Sequence, residues 1–163
     1  MKNTDAIRQK IYPLNALVHK LAQIRLTGST ISFTNGVFDI LHTGHIASLS
    51  GAAAEADFLV VAVNSDASVK RLKGDARPVN NQDARALLLA SLLIVDAVII
   101  FNEDTPLQVI TALMPDVLVK GGDYTVEQVV GASEVMANGG RIVINEIVEG
   151  FSTTGIIEKI RSL

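Results

Sequence analysis

The sequence predicts an α/β fold built on a doubly wound parallel sheet. Short apolar runs alternate along the chain with stretches of helical length, as expected for strands joined by helical crossovers. Hydrophobic residues make up 48% of the chain and aromatic residues only 4%, which predicts an aliphatic core of buried strands and covering helices. Glycine and polar residues directly follow several apolar runs, and in parallel sheets ligands bind at these carboxyl ends of strands.

Each predicted strand is a short apolar run, and each predicted helix lies between two such runs or after the last one. The predicted strands are Ile31–Thr34, Phe58–Asn64, Ala97–Phe101, Val117–Lys120 and Arg141–Asn145. The predicted helices are Gly44–Ala56, Asn81–Leu93, Pro106–Met114, Val126–Asn138 and Ser152–Arg161. Thr105 and Pro106 favour a helix start, because threonine caps helices and proline fits the first helical position.

The N-terminal segment, residues 1–29, is predicted to be a helical extension of the main domain, residues 30–163. Apolar residues within positions 6–26 recur three or four apart, which indicates a helical hairpin or bent helix with Pro13 as its break. A chain of 163 residues can enclose one hydrophobic core, so we expect one structural domain overall.

Composition excludes several classes of function. The net charge of −3 leaves no basic footprint, so we expect no nucleic-acid partner. The chain has no cysteine, which excludes disulfides and thiolate metal sites. The longest apolar stretch, residues 86–100, is interrupted by Ser91 and Asp96 and is too short to span a bilayer. The N-terminus lacks the pattern of a signal peptide, and we expect a cytoplasmic protein without a membrane partner.

His42 and His45 lie on either side of Gly44, where a helix is predicted to begin after the first strand. A helix N-terminus offers unpaired N–H groups that attract phosphate, and glycine lets phosphate oxygens approach the backbone. Imidazoles there can donate hydrogen bonds to a phosphate as negative charge develops. The alternatives are a helix cap or a metal site, but three histidines and no cysteine give poor support for zinc, and we expect no protein metal site.

Six ordered segments resemble motifs of the cytidylyltransferase-like nucleotidyltransferases. The paired signatures are Gly36–His45 and Glu149–Thr154, and between them lie residues 64–74, 77–78, 103–106 and 120–124. The intervening segments narrow the resemblance to members that transfer AMP from ATP to D-glycero-D-manno-heptose 1-phosphate. The resemblance covers about residues 30 to 161 and implies a Rossmann-like nucleotidyltransferase fold with an extra N-terminal helical segment.

The resemblance implies an enzyme that forms ADP-heptose and pyrophosphate for lipopolysaccharide or surface-glycan precursor synthesis. It also implies Mg²⁺ bound with ATP, a sugar 1-phosphate as second substrate, and a homodimer. The catalytic residues implied are His42, His45 and Lys73, with Lys73 on a loop after the second strand. The nucleotide-binding residues implied are Asn35, Gly36, Phe38, Gly44, Gly121, Asp123, Gly150, Ser152, Thr153 and Thr154. Contacts to substrate or phosphate are assigned to Asp39, Lys70, Arg77 and Arg85, where Asp39 orients its loop or a hydrated metal.

Simpler interpretations remain open for several of these residues. The basic residues of positions 70–73 could form a solvated helix face, and Arg85 could pair with Asp83 or another neighbour. Ser152 could cap the last helix, and His19 is expected at the surface. Two functions also remain as alternatives: a related transferase that uses CTP and another acceptor such as glycerol 3-phosphate, and a non-catalytic nucleotide-binding module.

Overall fold

Five parallel strands form the central sheet of the computed structural model, which describes residues 4–146 and 150–163. The strands are β1 (Ile31–Gly36), β2 (Phe58–Asn64), β3 (Ala97–Phe101), β4 (Val117–Gly121) and β5 (Arg141–Asn145). They are arranged in the order β3-β2-β1-β4-β5, and every pair is parallel. The predicted sheet is confirmed, with β2, β3 and β5 at their predicted bounds and the other two strands slightly longer.

Helices follow or precede each strand. They are α1 (Leu14–Leu26), α2 (Thr43–Ala53), α3 (Asp66–Lys73), α4 (Gln82–Ala90), α5 (Leu107–Leu113), α6 (Ala132–Ala137) and α7 (Thr153–Arg161). Short 3₁₀ turns lie at Thr4–Ala6, Arg8–Lys10 and Val126–Gln128. Within the two described ranges, none of the helices has the length and apolar character needed to cross a membrane.

The sheet is covered on both faces, which gives two hydrophobic clusters. One face packs against α1, α5 and α6, where the fully buried Leu17 and Ile110 meet Phe33 of β1. The other face packs against α2 and α4, where Leu49 and Leu89 meet alternate residues of β2. Strand side chains point alternately to the two faces, so β2 and β4 contribute to both clusters, whereas β1 contributes Ile31 and Phe33 to the first and turns the buried Ser32 and Thr34 to the other face.

The crevice between β1 and β4 is the natural ligand site of this sheet. The chain leaves β1 towards β2 on one side, and β4 returns to the other side of β1. Strand order reverses at that point, and loops diverge above the carboxyl ends of the two strands.

The N-terminal segment breaks at Pro13, as predicted. Two 3₁₀ turns take the place of a first helical arm, and Pro13 directly precedes α1 with an extended backbone. The segment packs on the sheet, because the backbone N–H of Tyr12 donates to the carbonyl of Val98 at 2.9 Å.

The predicted helix over residues 126–138 is interrupted. A 3₁₀ turn ends at Gln128, and α6 starts only after Gly131, whose φ of +87° is left-handed and favours glycine. A Cβ at Gly131 would lie 2.8 Å from Cγ2 of Ile110, so close packing against α5 also requires glycine. Likewise α5 starts at Leu107, one residue later than predicted, and Thr105 is not its N-cap residue.

Helix α3 was not among the predicted helices, and it corrects the expected loop position of Lys73. Ser65 caps the helix, since its hydroxyl accepts a hydrogen bond from the N–H of Ser68 at 3.1 Å. Lys73 is the last residue of α3, and Gly74 follows with a φ of +89°. Lys73 is therefore held by a helix that starts at the carboxyl end of β2.

Candidate active site

The N-terminus of α2 presents a stacked pair of histidines. His42 is the N-cap residue, and its Nδ1 accepts a hydrogen bond from the backbone N–H of His45 at 3.3 Å. The two rings stack with centroids 3.8 Å apart and an interplanar angle of 22°. A Cβ at Gly44 would lie 3.1 Å from Nδ1 of His42, so glycine leaves room for this arrangement.

Both imidazoles have a pKa below that of an ordinary histidine, which favours the neutral rings at pH 7. Burial lowers the pKa of His42, and the bonded Nδ1 of this neutral ring places its proton on Nε2. Burial also lowers the pKa of His45 to about 4, an effect to which His42 and Lys73 add and which the Ile40 carbonyl opposes. Nδ1 of His45 is buried and forms no hydrogen bond with the described residues.

Three cavities surround the histidine pair and the ends of β1 and β4. The β1–β4 cavity, about 150 Å³, is lined by Asn35, Gly36, Phe38, His45, Ser48, Lys120 and Gly121, among others. The outer cavity, about 170 Å³, is lined by His42, Gly44, His45, Ser48, Gly121, Glu146 and Phe151. The large cavity, about 460 Å³, includes Asn35, Gly36, Asn64, Lys73, Asp104, Lys120, Tyr124 and Gln128. Neighbouring cavities share lining residues, so the three form one connected region at the carboxyl ends of β1 and β4.

The structure brings together about half of the residues assigned from the sequence. Those that line the three cavities are Asn35, Gly36, Phe38, His42, Gly44, His45, Lys73 and Gly121. Those that do not line them are Asp39, Lys70, Arg77, Arg85, Asp123, Gly150, Ser152, Thr153 and Thr154. Ser152 caps α7, because its Oγ accepts from the N–H of Gly155 at 3.0 Å. Glu149, part of the last predicted motif, lies outside the described residues.

Arg85 has a structural role in place of the expected substrate contact. Its side chain is 0% exposed, and its guanidinium donates to the carbonyls of Asn80, Val37 and Asn64 at 3.0, 2.7 and 2.8 Å. It also forms an ion pair with Asp66 at 2.7 Å, not with Asp83. A guanidinium bonded in this way is closed to a bound substrate and instead joins four chain segments.

Asp39 is likewise a loop-orienting residue. Its carboxylate is 1% exposed, pairs with Nε of Arg77 at 2.7 Å and accepts hydrogen bonds from the N–H groups of Val79 and Asn80. Burial alone would raise its pKa, but the hydrogen bonds from Asn80, Val79 and Arg77 bring the pKa below the ordinary value. These contacts give the carboxylate the loop-orienting role, the first of the two roles that the sequence suggested.

The lysines differ from the expectation in two ways. Lys70 is exposed on α3 and lines none of the three cavities, whereas Lys73 lies on the rim of the large cavity. Lys120 was not assigned as a site residue from the sequence, yet it lines both the β1–β4 cavity and the large cavity. The available signal was a charged residue at the end of an apolar strand, but the sequence does not state that β4 is the neighbour of β1.

Replacing Arg85 is expected to destabilise the fold strongly. Arg85→Met leaves three carbonyls without their donor, at roughly 1–3 kcal/mol each, and leaves the partly exposed Asp66 unpaired, so the free energy of unfolding should fall by about 3 kcal/mol or more. Urea denaturation measures the change. Arg71→Met is the matched control, since Arg71 and its partner Asp104 are 46% and 62% exposed and such pairs contribute about 1 kcal/mol or less. Equal losses in both variants would contradict the structural role.

His45 is expected to make stability depend on pH. Its pKa is about 4 in the fold, below the ordinary 6.5, so the unfolded chain binds the proton more readily. The stability of the native protein should therefore fall as the pH drops from about 6.5 towards 4. His45→Gln removes this loss, so denaturation curves should show the variant gaining relative to the native protein over that window. His19→Gln, on an exposed position of α1, is the control and should show no such relative gain.

Comparison with known proteins agrees with the fold. A family model described as cytidylyltransferase-like matches residues 33–159. The bifunctional protein HldE of Hyphomonas neptunium is 56% identical over 152 residues, which cover 93% of this chain and 31% of that protein. The bifunctional protein HldE of Rhodospirillum rubrum is 57% identical over 136 residues, which cover 83% of this chain and 27% of that protein. The chain thus spans about a third of the length of the curated relatives it matches.

A solved structure gives the same result. The crystal structure of the lipopolysaccharide core biosynthesis protein from Thermoplasma volcanium GSS1 matches with a TM-score of 0.61 and 29% sequence identity. The match covers 74% of this chain and 98% of that one, and it confirms the predicted Rossmann-like fold. With the family model covering most of the sheet and both motif regions, the chain belongs to the cytidylyltransferase-like family of nucleotidyltransferases.

Proposed function

We propose that this chain transfers AMP from ATP to D-glycero-D-manno-heptose 1-phosphate, producing ADP-heptose and pyrophosphate for lipopolysaccharide precursor synthesis. The observation that carries the proposal is the histidine pair at the N-terminus of α2, at the switch point of the sheet and beside two lysines. The similarity to HldE proteins and to a lipopolysaccharide core biosynthesis protein supports the choice of pathway.

The reaction needs no general base, because the acceptor phosphate is already ionised and nucleophilic. One acceptor oxygen forms a bond to the α-phosphorus while the bond from that phosphorus to the bridging oxygen breaks. The electron pair leaves with pyrophosphate. Catalysis then consists of holding two polyanions in line and stabilising charge at the α-phosphate. We assign this stabilising role to Nε2–H of His42, the ring of His45 and the first N–H groups of α2, which meet at the start of that helix.

Members of this family act on a nucleoside triphosphate with a divalent metal, and we propose Mg²⁺ for this role. Among residues 4–146 and 150–163, no group of three or more histidine, aspartate and glutamate side chains could hold a metal ion. The donor set therefore does not fit a resident metal site, and the ion is proposed to enter with the triphosphate, whose oxygens are its preferred ligands. The homodimer, the cytoplasmic location and the absence of nucleic-acid and membrane partners stay predictions from the sequence.

Substrate choice is the direct test of the proposed reaction. Pyrophosphate release should be measured with ATP, CTP, GTP and UTP against both anomers of the heptose 1-phosphate, glucose 1-phosphate and glycerol 3-phosphate. We expect ATP with one heptose 1-phosphate anomer to exceed every other pair in kcat/KM by about 10²-fold or more, since sites that hydrogen-bond hydroxyls reject analogues lacking them. Turnover only with CTP and glycerol 3-phosphate would identify the related transferase instead. ATP binding without turnover of any pair would identify a non-catalytic module.

The histidine pair gives the second test. His45→Ala should lower kcat by about 10²–10³, the cost of losing one group that stabilises the transition state, with a smaller change in the KM for ATP. His19→Ala is the matched control and should retain full activity, because His19 is exposed on α1 and lines none of the three cavities at the site. Unchanged kcat in His45→Ala would contradict the assigned role.

A further inference from the structure

Helix α3 is attached to the rest of the domain mainly through polar contacts. Of its eight residues, only Ser68 and Val69 are buried, so apolar packing does little to fix its position. The ion pair of Arg85 with Asp66 holds the first turn. In the middle of the helix, the hydroxyl of Ser68 donates to the carbonyl of Glu103 at 3.0 Å. The position of the C-terminal end of α3 therefore depends on the contacts of its last turn.

Arg71 provides the contact between the last turn of α3 and the neighbouring loop. Its Nε donates to Oδ1 of Asp104 at 2.7 Å, and its Nη2 donates to the carbonyl of Asn102. Because both donors belong to one planar guanidinium, the two bonds fix the direction of the side chain as well as its distance. Arg71 thereby joins α3 to residues 102–106, the segment between β3 and α5.

The two joined segments form one wall of the large cavity. The lining residues that they contribute are Leu72, Lys73, Asp104, Thr105 and Pro106. Pro106 is buried and directly precedes α5, so the second segment is anchored in the core. Gly74 follows Lys73 with a φ of +89°, and a Cβ there would meet no atom within 4 Å. Packing around Gly74 thus gives Lys73 no support, and the place of Lys73 on the wall depends on α3.

The charge of Lys73 acts on the histidine pair across the site. Burial and the ring of His42 are the larger causes that lower the pKa of His45, and the ammonium of Lys73 lowers it further. Since the interaction between two charges weakens with distance, this effect depends on where the end of α3 lies. Lys73 is therefore a residue whose position matters to the chemistry at α2.

We propose that Arg71 is a positioning residue for nucleotidyl transfer, because it ties α3 to residues 102–106 and so fixes the ammonium of Lys73 beside the histidine pair. The inference rests on the proposed function, in which Lys73 is one of the catalytic residues. Arg71 itself lines none of the three cavities at the site and acts through Lys73. Without the contact the helix end is free to shift, and a misplacement of about 1 Å is enough to slow an enzyme by up to about 10²-fold.

A double-mutant cycle tests whether Arg71 acts through Lys73. Arg71→Met should lower kcat for the proposed transfer by about 5- to 50-fold, and Lys73→Met should lower it at least as much. In the double variant, kcat should equal that of Lys73→Met, because no ammonium is left to position. Arg71→Lys keeps the charge without the planar fork and should recover only part of the loss.

Arg141→Met is the matched control for the loss of an exposed arginine ion pair. Arg141 pairs with Glu55 at 2.7 Å, donates to the carbonyl of the same residue and is 55% exposed, compared with 46% for Arg71. It lines none of the three cavities, so its variant should keep the kcat of the native protein. Both single variants should remain close to the native protein in thermal midpoint, as expected for exposed ion pairs.

The pKa of His45, measured by NMR titration, supplies a readout that needs no turnover. Lys73→Met should raise this pKa by removing a nearby positive charge. Arg71→Met should raise it by a smaller amount, because the displaced ammonium of Lys73 then acts from farther away. Arg141→Met should leave it unchanged.

Losses of kcat that multiply in the double variant would overturn the proposal, since Arg71 would then act independently of Lys73. An unchanged kcat in Arg71→Met would overturn it as well. If Arg71→Met fails to fold, Asp104→Asn weakens the same ion pair from its other side and takes its place in the cycle. No turnover by the native protein with any sugar phosphate would instead remove the proposed function, whereas the titration of His45 would still show whether Arg71 positions Lys73.

Discussion

The buried guanidinium of Arg85 is the interaction on which the site geometry depends. From α4 it reaches the carbonyl of Val37, just beyond β1, and the carbonyl of Asn64, at the end of β2. Its ion pair with Asp66 also fixes the first turn of α3. The loop after β1 and the turn between β2 and α3 are therefore joined by one fully buried guanidinium. The ion pair of Asp39 and Arg77 also connects the histidine loop, residues 37–42 between β1 and α2, to residues 77–80.

The histidine loop is held under local strain. Phe38 has a φ of 49°, a left-handed conformation that costs a non-glycine residue about 1–3 kcal/mol. Its ring meets the ring of His45 edge-on, with centroids 5.3 Å apart, and passes 3.0 Å from the position of a Cβ on Gly36. The ring of Phe38 thus forms an apolar wall beside the partly buried His45, and burial favours the neutral form of that ring. Two neutral imidazoles can stack at 3.8 Å, whereas two imidazolium ions would repel each other.

The sequence predicted the sheet well because each strand is a distinct apolar run, and it predicted the start of α2 from the histidine and glycine pattern. Helix α3 escaped prediction because its face to the core consists of little more than Ser68 and Val69, so apolar periodicity is weak. Its signals were local instead, in the cap at Ser65 and the stop at Gly74. Arg85 and Lys120 required tertiary information: burial decides that the first is structural, and strand order decides that the second faces the crevice.

Strand pairing therefore has a chemical consequence at this site. β4 is aligned with β1 through Ser32 opposite Val117 and Phe33 opposite Leu118. Because side chains alternate along a strand, a slip of one position would exchange the sides taken by Lys120 and Gly121. The ammonium group of Lys120 would then lie on the α2 side, next to the histidine pair, and would no longer line the large cavity. An insertion or deletion in the turn at 114–116 that shifted this register would thus change which side of the crevice carries the positive charge, without altering any residue that lines it.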